Sequence, residues 1–373
     1  MSTTEATHVN PNLRSLADAG TSPWLDLLSR SLVESGELAR LIAEDSLKGV
    51  TSNPSIFEKS ILESEDYDDQ LAELFADHGD LTAQEIYEHL AIRDVQEACD
   101  VMRRVWDETG HQDGFVSLEV SADLAHDAEK SIAGARDFWK RVNRPNVMIK
   151  IPGTPEGLPA IEQAIYEGIN VNITLLFSVE AYERVAEAYL KGLERRQAES
   201  LSLDVASVAS FFVSRIDSNV DKRLEGSGHE QLQGTAAIAN ARHAYRSFER
   251  IFSGGRWDGL HHGGAHVQRP LWASTSVKSD AYRDTMYVED LVGAHSVNTM
   301  PRATLDAVGD HGRISGPTVQ ENPDAALKAL ADAGIDLHAV TDELLADGVS
   351  QFEGAMSRLL DGIEQKRAEH RAA

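Results

Sequence analysis

Eight short apolar runs, centred on Leu25, Val50, Leu118, Ile149, Ile173, Val208, Leu271 and Val297, recur along the 373 residues, with amphipathic stretches between them. Short apolar runs read as strands, and apolar residues at i, i+3, i+4 and i+7 read as helices. Ser178 to Ala198 shows the helical spacing in Val179, Tyr182, Val185, Ala186 and Tyr189, and Gln84 to Asp107 shows it in Ile86, Leu90, Val95 and Val101. Strands alternating with helices form a parallel sheet, and eight such units close on themselves. The expected fold class is therefore α/β, a (β/α)₈ TIM barrel. Pro54 to Asp113 is too long for one crossover and predicts two or three helices between strands two and three. After the eighth strand, Asn322 to Ala373 predicts further helices, ending in the amphipathic stretch Val349 to Arg371. No repeat, low-complexity tract or Pro/Gly/Ser linker divides the chain, so a single domain over 1–373 is expected, with its core at about 22–320 and a C-terminal helical extension.

Composition narrows the partners. A hydrophobic content of 42% is ample for a core, whereas a formal charge of −26, from 61 acidic and 35 basic residues, argues against nucleic acid. An anionic substrate would need a local basic pocket. Cys99 is the only cysteine, which rules out an intrachain disulfide and fits a reducing compartment. The start Met1-Ser2-Thr3-Thr4-Glu5 lacks a basic segment followed by an apolar one, and no apolar run is long enough to span a bilayer. A cytoplasmic protein without a membrane partner is expected. The terminal helix after Val349 can pack on the barrel or on another subunit, which leaves monomer and homodimer both open.

Lys150 is the odd residue. It stands inside the apolar run Val147-Met148-Ile149-Lys150-Ile151, stopped by Pro152 and Gly153, where a parallel strand would be covered on both faces. Burial penalises an ammonium, and an uncharged lysine is a nucleophile toward carbonyl carbon. The bland alternative is a lysine that snorkels to water or pairs with a carboxylate.

Period-two reading gives Lys150 neighbours. Val116, Leu118 and Val120 share one face of their strand and Ser117 and Glu119 the other; Ile169, Val171 and Ile173 stand likewise against Asn170, Asn172 and Thr174. Outward faces of barrel strands meet helices, so the polar faces should point inward, with Met148 and Lys150. The same rule turns Trp24 and Asp26, Thr51 and Asn53, Ser210 and Phe212, and Trp272 and Ser274 inward. Most polar members lie late in their strands, which places them at the carboxyl end of the barrel. Any one of them could be hydrogen-bonded filler. A lysine, two carboxylates and several amides and hydroxyls converging on one mouth are harder to explain so, because each buried polar group must be satisfied.

The segments Gly49-Val50-Thr51-Ser52-Asn53-Pro54-Ser55, Val116 to Val120, Val147 to Thr154 and Gly168 to Leu175 resemble, in order, the signatures of the transaldolase family, and the likeness runs from about Trp24 to Pro301. Trp272-Ala273-Ser274-Thr275-Ser276 and the length resemble the longer bacterial members. The resemblance implies a (β/α)₈ barrel that transfers a dihydroxyacetone unit from a ketose phosphate (sedoheptulose 7-phosphate or fructose 6-phosphate) to an aldose phosphate in the non-oxidative pentose phosphate pathway, with neither metal nor cofactor. It implies that Lys150 is the Schiff-base lysine, Glu119 a carboxylate working through a water, and Asp26 the acid/base at the carbon–carbon bond. Thr51, Asn53, Asn172, Thr174 and Ser210 correspond to hydrogen-bonding residues, Phe212 to an aromatic wall and Arg215 to a phosphate ligand, and the inward Ser274 is expected to bind substrate as well. The basic residue that shorter members carry just after the seventh-strand serine is absent, and Lys278 is its candidate replacement.

Two rivals share these residues: an aldolase of the same superfamily that releases the three-carbon unit to water, and a barrel that binds sugar phosphates without turnover. Arg215 also has an ordinary alternative, an ion pair with Asp217 or Asp221. His261-His262-Gly263-Gly264-Ala265-His266 lacks the framing of a zinc site and reads as a solvated loop.

Overall fold

The computed structural model describes residues 9–77, 80–121, 124 and 126–372, so the opening Met1 to Glu5 stretch lies outside the described residues. Eight parallel strands, β1 (Thr21–Asp26), β2 (Gly49–Thr51), β3 (Phe115–Glu119), β4 (Val147–Pro152), β5 (Val171–Leu176), β6 (Ser207–Phe212), β7 (Arg269–Ala273) and β8 (Ser296–Met300), pair in chain order. β8 returns to β1 and closes the barrel. Each strand contains the centre expected from sequence. Three helices, Pro54–Leu62, Asp68–Asp77 and Ala83–Glu108, fill the long connection between β2 and β3. The chain ends in the helices Arg302–His311, Asp324–Asp332 and Leu337–Ala372.

Local chemistry sets the boundaries. Asn53 caps the helix Pro54–Leu62 by accepting from the Ile56 N–H, with proline at the first helical position where no N–H is needed. Thr82 and Glu85 form a reciprocal capping box at the start of Ala83–Glu108. Ser178 caps Val179–Ala198. The β-branched residues Val147, Ile149 and Ile151 of β4 are fully buried under the surrounding helices.

The floor of the barrel, at the amino ends of the strands, is filled by side chains. Trp24 Nε1 donates to Asp113 Oδ1 at 3.0 Å, and Arg269 donates to the same oxygen at 2.8 Å while its guanidinium lies 5.8 Å from the Trp24 ring. Ser22 donates to the other Asp113 oxygen at 2.7 Å. β2 can lie against this tryptophan only because residue 49 is glycine: a Cβ there would sit 2.3 Å from the indole.

This floor corrects one expectation. Trp272 does not point inward; its Nε1 donates to the Leu291 carbonyl at 3.1 Å and its ring meets Phe211 edge-on at 6.2 Å, outside the barrel. Parity on β7 is set by Arg269, which must face in to reach Asp113, so Ala273 rather than Trp272 shares its face. Ser274 still reaches the mouth, because its left-handed φ of 56° breaks the alternation. The histidine stretch is also partly helical, since His261 and His262 end the helix Gly255–His262.

The 36-residue helix Leu337–Ala372 lies across the carboxyl end of the barrel and packs on the chain's own elements, including β5 and the helices Pro54–Leu62, Ala83–Glu108 and Ser214–Leu224. Its buried stripe runs through Val340, Leu344, Gly348, Phe352, Met356, Leu359 and Ile363. Among the described residues no helix is long and apolar enough to cross a membrane.

Candidate active site

Adjacent strands bring the unusual polar residues together. Glu119 on β3 and Lys150 on β4 are register partners, as are Lys150 and Asn172 on β5, and Asp26 on β1 and Thr51 on β2. The Lys150 ammonium lies 3.2 Å from Glu119 Oε2 and donates to the Ser52 carbonyl at 3.0 Å. Both side chains are nearly inaccessible, at 6% and 3% exposed. Burial raises the Glu119 carboxyl above the usual carboxylate range; Lys150 pulls it back and the charge of Asp26 pushes it up again. Asp26 is raised too, mainly by burial, against the opposing charge of Lys150 and the Thr51 hydrogen bond. Two carboxyl groups therefore flank one lysine, each biased toward holding a proton.

Around them the remaining expected residues divide into two shells of different use. Thr51 donates to Asp26 Oδ1 at 2.7 Å and lies 2.7 Å from the Thr299 hydroxyl. Asn172 is fully buried beneath the lysine, donating to Ser117 Oγ at 2.9 Å and accepting from Ser210 Oγ at 2.7 Å. Both ends of its carboxamide are engaged, so it fixes the bed of the site. Asn53 faces the cavity although its Oδ1 caps a helix. Thr174 faces it with a buried hydroxyl that has no hydrogen-bond partner among the described residues.

These side chains line a cavity of about 750 Å³, counting the part open to solvent, at the carboxyl mouth. Asp26, Thr51, Asn53, Lys150, Thr174, Ser210, Phe212, Arg215, Ser274 and Lys278 all reach it; Glu119 and Asn172 lie just behind its wall. Phe212 packs against Phe177 at 5.1 Å between ring centroids. Arg215, at the start of the helix Ser214–Leu224, lies 5.4 Å from the Phe212 ring. It does not pair with Asp217 or Asp221, which instead accept hydrogen bonds from Tyr287 at 2.8 Å and Tyr282 at 2.7 Å. Its Nη1 is buried with no hydrogen-bond partner among the described residues, and burial lowers its pKa against the attraction of Asp347. Lys278 rests on Ser276 Oγ at 2.6 Å, exposed at the rim.

Sequence reasoning missed several residues. Thr299 escaped because β8 inverts the greasy-out pattern, with Asn298 reaching the Tyr287 carbonyl while Thr299 meets Thr51. The Ser52 carbonyl is a backbone group without a side-chain signature. Phe352 comes from the final helix, more than two hundred residues beyond Lys150.

A second hollow, of about 500 Å³, lies at the opposite end of the barrel and is lined by His111, His261, His266, His295 and Arg269 among mostly apolar groups. Arg269 is already paired with Asp113, and Asp204 already bridges His111 and His266 at 2.7 and 3.1 Å. The buried lysine–carboxylate pair, Lys150 with Glu119, lies at the mouth instead.

Residues 23–363 match the family described as Transaldolase/Fructose-6-phosphate aldolase. The chain is 48% identical over 362 residues to the transaldolase of Saccharopolyspora erythraea, covering 96% of this chain and 98% of that one. It is 50% identical over 367 residues to transaldolase 1 of Streptomyces coelicolor, covering 96% of each. With the transaldolase of Thermobifida fusca the figure is 48% over 365 residues, or 96% and 99% of the two chains.

Proposed function

Given that this chain belongs to the transaldolase/fructose-6-phosphate aldolase family and works as a transaldolase, we propose that it serves the pentose phosphate pathway and that Lys150 carries the transferred unit, between Glu119 and Asp26. The observation behind this assignment is the buried Lys150–Glu119 contact of 3.2 Å at a cavity that Asp26 also lines.

The uncharged amine of Lys150 attacks the C2 carbonyl of a ketose phosphate, and Glu119, biased toward its protonated form, moves protons as the carbinolamine loses water. The resulting iminium accepts the electrons of the C3–C4 bond. Asp26 takes the proton of the C4 hydroxyl, the bond breaks and an aldose phosphate leaves. Dihydroxyacetone remains on Lys150 as an enamine until an acceptor aldehyde arrives and the steps run backward. Thr51 holds Asp26 in place, and Ser210, Asn172 and Ser117 form the hydrogen-bonded bed beneath.

Arg215 is assigned to the substrate phosphate, since an arginine Nη1 buried without a partner is suited to bind an anion. Lys278, across the cavity mouth on the segment after β7, supplies the second cation. Thr51, Asn53, Thr174 and Ser274 face the space where sugar hydroxyls would lie, with Phe212 as the apolar wall. A reducing cytoplasm suits a chain whose single cysteine, Cys99, is free and buried.

Borohydride reduction during turnover of fructose 6-phosphate, followed by peptide mapping, tests the assignment. The expected product is a three-carbon adduct on Lys150. Trapping at another residue, or none, would reject it. Full-rate release of free dihydroxyacetone without acceptor would favour the aldolase alternative; the retained Glu119 and Phe212 support transfer.

A further inference from the structure

The final helix puts one side chain into the cavity. Phe352 is 5% exposed, its ring centroid is 5.8 Å from Lys150 Nζ, and it borders the same space as Asp26 and Phe212. It sits between two sets of anchors on opposite sides of the mouth. Before it, Glu343 accepts from Asn219 at 3.3 Å and pairs with Arg223, both on the helix Ser214–Leu224. After it, Arg358 pairs with Glu58 at 2.6 Å and Lys366 with Asp68 at 2.8 Å, on the helices after β2. One turn earlier, Gly348 lets the helix come down close: a Cβ there would already be 3.0 Å from Leu175.

A phenyl group needed only for packing gains most when apolar atoms surround it. Phe352 belongs to the buried core, yet it also borders a cavity lined mostly by polar residues, beside the Lys150 amine. We propose that Phe352 forms the ceiling over the three-carbon unit on Lys150 and keeps water from it, so that the enamine survives until an aldehyde enters. The inference rests on Lys150 as the carrier and adds a residue that governs the partition between transfer and hydrolysis.

The competing step balances with water alone. The enamine C3 takes a proton from solvent or from Asp26, which solvent reprotonates, and the electron pair returns to form the iminium. Water adds at C2, the C–N bond breaks, the nitrogen leaves with a proton, and free dihydroxyacetone results with one water consumed. Water addition at C2 is shared with release of the transfer product, so the branches part at protonation of C3, the step that Phe352 is proposed to shield from solvent.

The experiment supplies fructose 6-phosphate and erythrose 4-phosphate and measures free dihydroxyacetone relative to the heptulose phosphate formed. Phe352→Ala should raise that ratio by about tenfold or more, equivalent to a barrier change of roughly 1.4 kcal/mol. Phe352→Leu, which retains bulk without the ring, should keep it within about twofold of the parent. Phe352→Val provides an intermediate step if the alanine variant folds poorly. A ratio that stays flat across the series overturns the proposal, whether or not overall turnover falls. Borohydride adducts at Lys150 in the same samples separate this result from failure of the lysine assignment, in which the parent enzyme itself would carry none.

Discussion

Glu119 and Lys150 are direct cross-strand partners on β3 and β4, and their side-chain ends meet at 3.2 Å inside the barrel. No other hydrogen-bond partner reaches either Glu119 oxygen among the described residues, so the lysine is the local group that favours its ionised form. Glu119→Gln keeps the shape and removes the titrating group. It should slow formation and hydrolysis of the Schiff base by about 10²- to 10⁴-fold, read as slower borohydride trapping in single-turnover experiments. Trapping at the parent rate would remove Glu119 from that step.

Asp26→Asn should stop the reaction one stage later. Lys150 would still form the iminium with fructose 6-phosphate, but the C4 hydroxyl would lose its base and kcat should fall about 10²- to 10⁴-fold. Mass spectrometry of the reduced protein should find the whole hexose phosphate on Lys150. A three-carbon adduct accumulating at the normal rate would contradict the role given to Asp26.

Arg215→Ala removes the buried guanidinium beside Phe212. Loss of a charge-assisted contact of roughly 1.5–3 kcal/mol should raise KM for phosphorylated substrates about 10- to 100-fold and leave unphosphorylated analogues nearly unaffected. Equal losses for both classes would point to a folding role.

Asp217 offers a stability test away from the chemistry. Burial pushes its carboxyl up to about 6, against the hydrogen bonds from Tyr287 and the Ala237 N–H. A folded-state value above the unfolded one means that the fold favours the protonated group. Its contribution is full below about pH 4 and is lost as pH rises through about 6. Between pH 4 and 7 the parent should lose up to ~3 kcal/mol that Asp217→Asn does not. Urea melts across that range would show it as a difference between the two slopes; parallel slopes would count against it.

Gly49→Ala would place a methyl 2.3 Å from the Trp24 indole on the barrel floor. Destabilisation of about 1–3 kcal/mol is expected from the overpacking. Pairing it with Trp24→Leu should recover part of the loss in the same unfolding assay, and a purely additive double variant would disprove the contact.

The strands were legible because each is a short apolar run flanked by longer helical patterns, and the site on β1 to β6 was legible because polar residues there take the inward parity. That logic failed on β7, where Arg269 must reach Asp113 and so turns Trp272 outward. It missed Thr299 on β8 for a related reason, since Asn298 is satisfied outside the barrel by the Tyr287 carbonyl. The difference between Asn172 and Thr174 was also hidden. Both are inward polar residues of β5, yet only the hydrogen-bond network reveals that the first is fully engaged while the second keeps an unpartnered hydroxyl. Phe352 could not be placed, because an amphipathic pattern defines a buried stripe but not the surface it covers.

With the barrel floor packed by Trp24, Asp113 and Arg269, the proposed site opens, among the described residues, at the carboxyl mouth, so donor sugar and acceptor would share one doorway. Traffic through one entrance must alternate: the first aldose has to depart before its successor can dock. Initial-rate plots at several fixed acceptor concentrations should then give parallel lines, the kinetic mark of an enzyme that is charged in one visit and discharged in the next.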